Sequence, residues 1–454
     1  MRRYMCSFNA PNFLFCPQEL IYVGTLLKKV SNQVKLIDAI AENLSFNQTI
    51  KALKNISPDY IISIIGFECF EDDIKVINKI KKQLPNTKII IFGHYPTLFP
   101  KEIFENSKVD IIIRGEPDLT IYELLQKIKN NKDFSSLEGI AYRKDGKKVI
   151  NPISKRILNL NKLPIPDRSL LKNKLYYEPF LGKPYTTIQT TRGCPYSCNY
   201  CVKTFGKLTY FRNPENILME IKDAYVNYGI RNFRFIDDTF TTDKKRVQDL
   251  CKLIIQERIK IKWTCLSRID TLDRKTATLM KKAGCKRIYL GIESGSQKII
   301  NYYNKNLKKE IILPIIKMIH KAGIETIGWF MVGSPDETDR DLEESVKLAK
   351  KSDLDFVVVS QLIVYPGTPL FEKLKDKINF SLFPYKNEFK DKKHSIKFRK
   401  LEQKFYKSFY FRIRYIPKGI RIAIIYPKET LSAFINLFSY TFLSRIKKDR
   451  KDFY

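Results

Sequence analysis

Between residues 185 and 364 of this 454-residue chain, six short β-rich runs alternate with helical patterns. The runs are 186–190, 233–237, 262–267, 287–293, 326–333 and 356–364. This alternation limits the fold more than any other feature, because strands separated by single helices form parallel sheets through right-handed crossovers. The stretch 213–228 reads as a helix with Asn213 at its N-cap, Pro214 in its first turn and Gly229 as its stop. The patterns 243–258, 273–283 and 339–350 each open on an Asp expected to cap a helix. Six units are too few to close an eight-stranded barrel. An open, partial (β/α)6 barrel is expected, with its site at the carboxyl ends of the strands.

Directly after the first run comes Cys194-Pro-Tyr-Ser-Cys198-Asn-Tyr200-Cys201. Three thiolates on one short loop can hold three irons of a [4Fe–4S] cube. The next cysteine is Cys251, too far along the chain to belong to the same loop, so the fourth iron would be open to a ligand. Zinc is the other reading of clustered cysteines. It usually takes four ligands, often as two C-x2-C halves, and no second half appears.

Upstream, β-rich runs at 34–38, 60–66, 87–93 and 109–114 alternate with amphipathic stretches 71–84 and 119–129. They predict a parallel, doubly wound, Rossmann-like α/β domain over 1–150, with a hairpin at 137–151 around Lys144-Asp145-Gly146. Ligands of such sheets sit beyond the carboxyl ends of the strands. Those ends carry Gly66-Phe67-Glu68, Gly93-His94-Tyr95-Pro96-Thr97 and Arg114-Gly115-Glu116. Pro164 and Pro166 exclude helix interior from the stretch around them, so 151–183 reads as a linker and 184–384 as the barrel.

Residues 385–454 are basic with interleaved aromatics and read as a helical tail. Two readings stay open for it: a cover packed on the barrel, or an interfacial element with 431–442 at a membrane. The 82 basic and 48 acidic residues leave a charge of +34. The excess is mostly Lys spread among Ile and Asn, a pattern that genome composition alone can produce. An acidic membrane surface is the next reading, and nucleic acid is not expected as a partner. With no signal-like leader and no apolar run of about 18 residues, the expectation is a cytoplasmic protein, at most peripheral at the inner face of the membrane. Walker-type, H-E-x-x-H and G-x-S-x-G motifs are absent.

The cysteine loop, with aromatic Tyr200 before its third cysteine, resembles the radical SAM superfamily. The resemblance extends over roughly 185–370, through Asp237-Asp238-Thr, Gly291-Ile-Glu293-Ser294-Gly295, Met331-Val-Gly333-Ser-Pro-Asp-Glu337 and Tyr365-Pro366-Gly367-Thr368-Pro369. It implies a [4Fe–4S] cluster on Cys194, Cys198 and Cys201, and S-adenosylmethionine chelated to the open iron by its amino and carboxylate groups. One-electron reduction would release a 5′-deoxyadenosyl radical, with a flavodoxin or ferredoxin as electron donor. By the same carry-over Tyr200 lies against the adenine, Asp238 contacts the methionine amino group, and Arg268 pairs with its carboxylate. Glu293 and Ser294 reach amino or ribose groups, while Gly333 and Tyr365 frame the adenine.

The upstream α/β domain is similar to that of the cobalamin-binding subgroup, which would place cobalamin against Gly66, Phe67, Glu68, Gly93, His94, Thr97, Gly115 and Glu116. The chain lacks the Asp-x-His-x-x-Gly signature, and Phe92 stands where relatives have a glycine, a substitution expected to crowd a corrin. The implied activity is cobalamin-dependent methyl transfer to an unactivated carbon of a small-molecule or lipid-type substrate. Radical cyclisation, rearrangement or oxidation without methyl transfer is the alternative. An RNA-modifying methylthiotransferase would need a second cluster from three N-terminal cysteines; Cys6, Cys16 and Cys69 exist but do not match that family's sequence contexts.

Overall fold

The structure, a computed structural model, describes residues 14–435 except 32, 68, 179, 428, 429, 432 and 433; for 392–399 and 414 it describes the backbone alone. Glu68, Cys6 and most of 431–442 therefore lie outside the described residues.

Tyr60–Ile64 (β1), Lys88–Phe92 (β2), Ile111–Ile113 (β3), Ile140–Lys144 (β4) and Lys147–Ile150 (β5) form one sheet in chain order. The first three strands are parallel, and β4 and β5 return antiparallel, so the expected hairpin extends the sheet instead of standing apart from it. Successive β2 side chains point to opposite faces. Ile89 and Ile91 pack with Phe70, Ile74 and Ile77 of the helix Phe70–Gln83. Ile90 and Phe92 pack with Val23 and Leu27 of Gln18–Leu27 and Leu124 of Pro117–Lys129. Both faces are thus covered, as a largely parallel sheet requires.

The run 34–38 forms no strand. Val34 packs on the N-terminal sheet while Leu36 packs with a different cluster around Tyr185, so the segment satisfies its side chains without pairing its backbone.

Tyr185–Ile188 (β6) begins the second unit, and the short strands Thr191–Arg192 (β7) and Tyr210–Phe211 (β8) flank the cysteine loop. Asn232–Phe235 (β9), Lys262–Arg268 (β10), Cys285–Glu293 (β11), Glu325–Val332 (β12) and Phe356–Gln361 (β13) follow. With β6 they make a six-stranded parallel sheet in the order β6-β9-β10-β11-β12-β13. β6 and β13 do not pair, so the barrel is open. Asp243 and Asp273 cap their helices by accepting the N–H groups of Arg246 and Thr276. Asp339 does not cap: Thr338 does, in a reciprocal capping box with Asp341, since Thr followed three residues on by an acid satisfies two orphan donors at once. Asn213 holds the N-cap position without a side-chain bond, and Gly229 ends that helix with φ 64°.

The predicted tail does not start as helix at 385. Ile378–Leu382 (β14) and Tyr385–Phe389 (β15) form an antiparallel hairpin. It clasps the N-terminal sheet: Leu382 joins that core, and the Tyr385 hydroxyl meets the Tyr95 hydroxyl at 3.2 Å. The helix Lys392–Tyr410 then covers the open edge of the barrel. Tyr406 takes the Val359 N–H at 2.9 Å and donates to the Val359 carbonyl at 3.2 Å; Tyr410 does the same with Val357, both at 3.0 Å. The next helix, Ile416–Ile425, follows Ile413 with Ile416, Ile420 and Ile424 exposed along it. No helix among the described residues is long and apolar enough to cross a membrane.

Candidate active site at the cysteine loop

β6 delivers the chain to a fixed entry. Buried Asp237, just past β9, accepts from Thr190 N at 2.6 Å, Thr190 Oγ1 at 2.5 Å and Thr191 N at 2.8 Å. Arg246 supports the same point, donating to Thr190 Oγ1 at 2.8 Å and to the Phe240 carbonyl at 2.9 Å. Burial raises the Asp237 carboxyl pKa against these stabilising bonds.

Arg192, 2% exposed, is the next anchor. It reaches out of the barrel to Glu116 at 2.8 Å and Asp118 at 2.7 Å, and its guanidinium lies 4.9 Å from the Phe205 ring centre. Gly193 follows with φ +89°, and a Cβ there would stand 2.0 Å from the Leu208 carbonyl, so the turn into the loop admits only glycine. Cys194 N donates to the Gly206 carbonyl at 3.0 Å and closes the base of the loop.

Cys194, Cys198 and Cys201 are free and half-buried. Burial raises the Cys194 thiol, and pushes Cys201 up to about 12 with Asp238 as the next cause. Such thiols need a bound cationic centre to ionise at neutral pH. Cys194 Sγ lies 3.9 Å from Thr239 Oγ1, and Arg268 Nη1 donates to Cys198 Sγ at 3.7 Å. Among the described residues no three His, Cys, Asp or Glu side chains gather as a single ion requires. Cys16 is buried against Thr186, and Cys69 stands at the head of Phe70–Gln83 after β1, so the described residues assemble no second three-cysteine loop.

The later strands bring the other expected residues to the same rim, with differing freedom. Asp238 is exposed beside the loop, and its charge acts on both Cys194 and Cys201. Arg268 ends β10 with its fork on Asp270, at 3.0 and 2.7 Å, and its face 3.8 Å from the Tyr196 ring centre. Its Nη1 therefore points at Cys198 while the rest is held in place. Glu293 sits at a break in the β11 register with φ 67°, accepting from Tyr200 Oη at 3.0 Å and Lys305 Nζ at 2.8 Å. Ser294 is fully buried and bonded to Ser345 Oγ at 3.0 Å, so it fastens the helix Asp339–Lys351 behind the rim. Gly333, φ +106°, donates its N–H to Glu337 at 2.5 Å.

The N-terminal strand ends face this rim. The Tyr365 ring centre lies 5.0 Å from that of Phe67, and His94 Nε2 lies 3.1 Å from the Pro366 carbonyl. Thr97 Oγ1 donates to the Gly93 carbonyl at 2.8 Å and accepts from Gly115 N at 3.1 Å, tying two strand ends together. Gly66 N donates to Asp73 at 2.9 Å. Gly93 has φ +140°, and a Cβ there would come within 2.5 Å of the Ile65 carbonyl. Phe92 is 2% exposed, with its side chain in the core below the sheet. It also lines the cavity between the two units. Glu116 is committed to Arg192.

Between the two units lies a cavity of about 560 Å³. Gly93, His94, Thr97 and Gly115 border it from one side, Cys198 and Cys201 from the other. Sequence reading missed Arg192, Lys305 and Tyr196. An Arg-Gly pair directly ahead of Cys194 is the one local signal that could have found Arg192; Lys305 and Tyr196 have none.

A family model described as the radical SAM superfamily matches residues 188–349. An uncharacterized methyltransferase of Pyrococcus horikoshii is 32% identical over 415 residues, spanning 89% of this chain and 90% of that protein. The anaerobic magnesium-protoporphyrin IX monomethyl ester cyclase of Rubrivivax gelatinosus is 26% identical over 375 residues, 80% of this chain and 67% of that one. Among solved structures, the cobalamin-dependent S-adenosylmethionine radical enzyme OxsB, with aqua-cobalamin and S-adenosylmethionine bound, superimposes with a TM-score of 0.72. The match covers 93% of this chain and 70% of that one at 18% identity, a likeness of fold.

Proposed function

The chain belongs to the radical SAM superfamily, and on that premise we propose that it is a cobalamin-dependent enzyme that methylates an unactivated carbon of a small molecule. Cys194, Cys198 and Cys201 would hold the [4Fe–4S] cluster, and Gly93, His94, Thr97 and Gly115 would border the corrin. When bound, these groups and S-adenosylmethionine supply a hydrogen-abstracting radical and a transferable methyl group.

The protein's own residues position and shield. Asp237 and Arg192 fix the two ends of the segment entering the loop, so the thiols are placed before any cargo arrives. Tyr200, held through Glu293 by Lys305, presents a fixed aromatic face beside the cysteines. Arg268 keeps a positive charge at Cys198, and Asp238 offers an exposed carboxylate that suits an ammonium group. The observation that carries the reading is a cavity bordered by both the N-terminal strand ends and the cysteine loop, because methyl transfer needs two cofactors facing one substrate.

The test is anaerobic reconstitution of the full chain with iron, sulfide and cobalamin, followed by incubation with methyl-labelled S-adenosylmethionine and candidate substrates. About four irons per chain, a corrin band and a labelled product are expected. 5′-Deoxyadenosine without labelled product would replace methyl transfer by radical rearrangement or cyclisation. About eight irons would point to a second cluster and a methylthiotransferase.

A further inference from the structure

One end of the interdomain cavity is cationic. Arg156 comes from the stretch joining the two units, and Lys203 and Lys207 come from the loop after Cys201; all three line the cavity. Glu19 and Glu116 are the acids beside them; Glu116 shares Arg192 with Asp118, and the Arg156 charge also acts on it. The Nη1 of Arg156 is buried with no hydrogen-bond partner among the described residues. A buried guanidinium donor without an acceptor is costly and calls for a ligand atom. The guanidinium lies against the cysteine loop at Gly206, where a Cβ would stand 2.4 Å from Arg156 Nη2. Lys203 spends its ammonium on the Tyr196 carbonyl, whereas Lys207 makes no ion pair among the described residues. The neighbouring wall is apolar, with Leu98, Ile153, Phe205 and Pro369.

We propose that Arg156 and Lys207 bind a phosphoryl group on the substrate, with an apolar portion of the same molecule lying along this wall toward Cys198 and Cys201. A guanidinium fork matches the oxygens of a phosphoryl group, and an ammonium adds a point charge. The proposal rests on the functional reading above and names the class of substrate for that site.

The test uses the full chain reconstituted with cluster and cobalamin, with octyl phosphate and octanol as probes in calorimetry at 0.15 M salt. Wild type is expected to bind the phosphate at least tenfold more tightly than the alcohol. Arg156→Gln and Lys207→Gln should each remove most of that preference, and Arg156→Lys should keep part of it. Lys260→Gln, exposed ahead of β10 at the opposite end of the barrel, should keep all of it and so controls for net charge. Equal or undetectable binding of the two probes by wild type overturns the proposal. So does a loss of bound cobalamin in Arg156→Gln with the preference intact, which would assign the cation to the corrin's own phosphodiester. Iron, corrin and 5′-deoxyadenosine are measured on the same samples, so a failure of the radical reading appears there independently of the probe preference.

Discussion

Asp73 shows how one buried carboxylate shapes the loop after β1. It accepts from Gly66 N at 2.9 Å, yet burial, the largest cause, raises it to about 8 from an ordinary 3.8. The folded state then keeps a proton that the unfolded chain releases from about pH 4 upward. Stability contributed by this group is full below pH 4 and declines as pH rises toward 8. Asn keeps an acceptor for Gly66 N and carries no charge. Asp73→Asn should therefore flatten part of the fall in melting temperature between pH 5 and pH 8, relative to wild type, in thermal unfolding followed by circular dichroism. Identical pH slopes for the two proteins would show that the carboxyl is ionised in the fold. Single residues also divide in how readable they were. Cys194, Cys198 and Cys201 declare themselves by spacing along the chain. Arg268 was expected to face an incoming carboxylate, but Asp270, two residues on, already occupies its fork. That commitment depends on a turn after β10 whose geometry the sequence pattern does not specify.

At the scale of elements, the sealed edge of β13 gives the clearest measurement. An open barrel leaves the outer backbone groups of its last strand unpaired, a template for aggregation. Tyr406 and Tyr410, four residues apart on a helix, rise about 6 Å, which matches the two-residue step between Val357 and Val359. Each hydroxyl takes an N–H and returns a bond to a carbonyl. Tyr406→Phe and Tyr410→Phe should each cost about 1–3 kcal/mol in denaturant unfolding, and the double variant should form soluble oligomers on size exclusion. A monomeric double variant of unchanged stability would mean that the hydroxyls are dispensable. The sequence showed the strand–helix period of the barrel because one buried face imposes it. It showed aromatics alternating with basic residues near 405–415 but not their purpose, since that depends on which strand is left at the edge. The run at 34–38 misled for the complementary reason: its apolar residues serve two different clusters, and a strand pattern carries no record of its partner.

At the scale of the molecule, the two α/β units are locked by contacts distant in sequence. Arg192 with Glu116 and Asp118, His94 with Pro366, and the β14–β15 hairpin on the N-terminal core all cross between them. Composition and period could reveal two units, but not these bonds, because neither partner carries a local signature of the other. Removing one member of a buried ion group leaves uncompensated charge. Arg192→Ala should therefore destabilise the protein by about 3–5 kcal/mol and split its denaturant unfolding into two transitions. A single, unshifted transition would show that the hairpin alone couples the units. The triad has one more consequence, because Arg192 is separated from Cys194 by Gly193 alone and Glu116 directly follows Gly115. An occupant of the loop at 115–116 that changes the affinity of the cysteine loop for its own occupant has its own affinity changed by the same factor. The order in which the two are loaded can then vary with supply, while the finished assembly is the same.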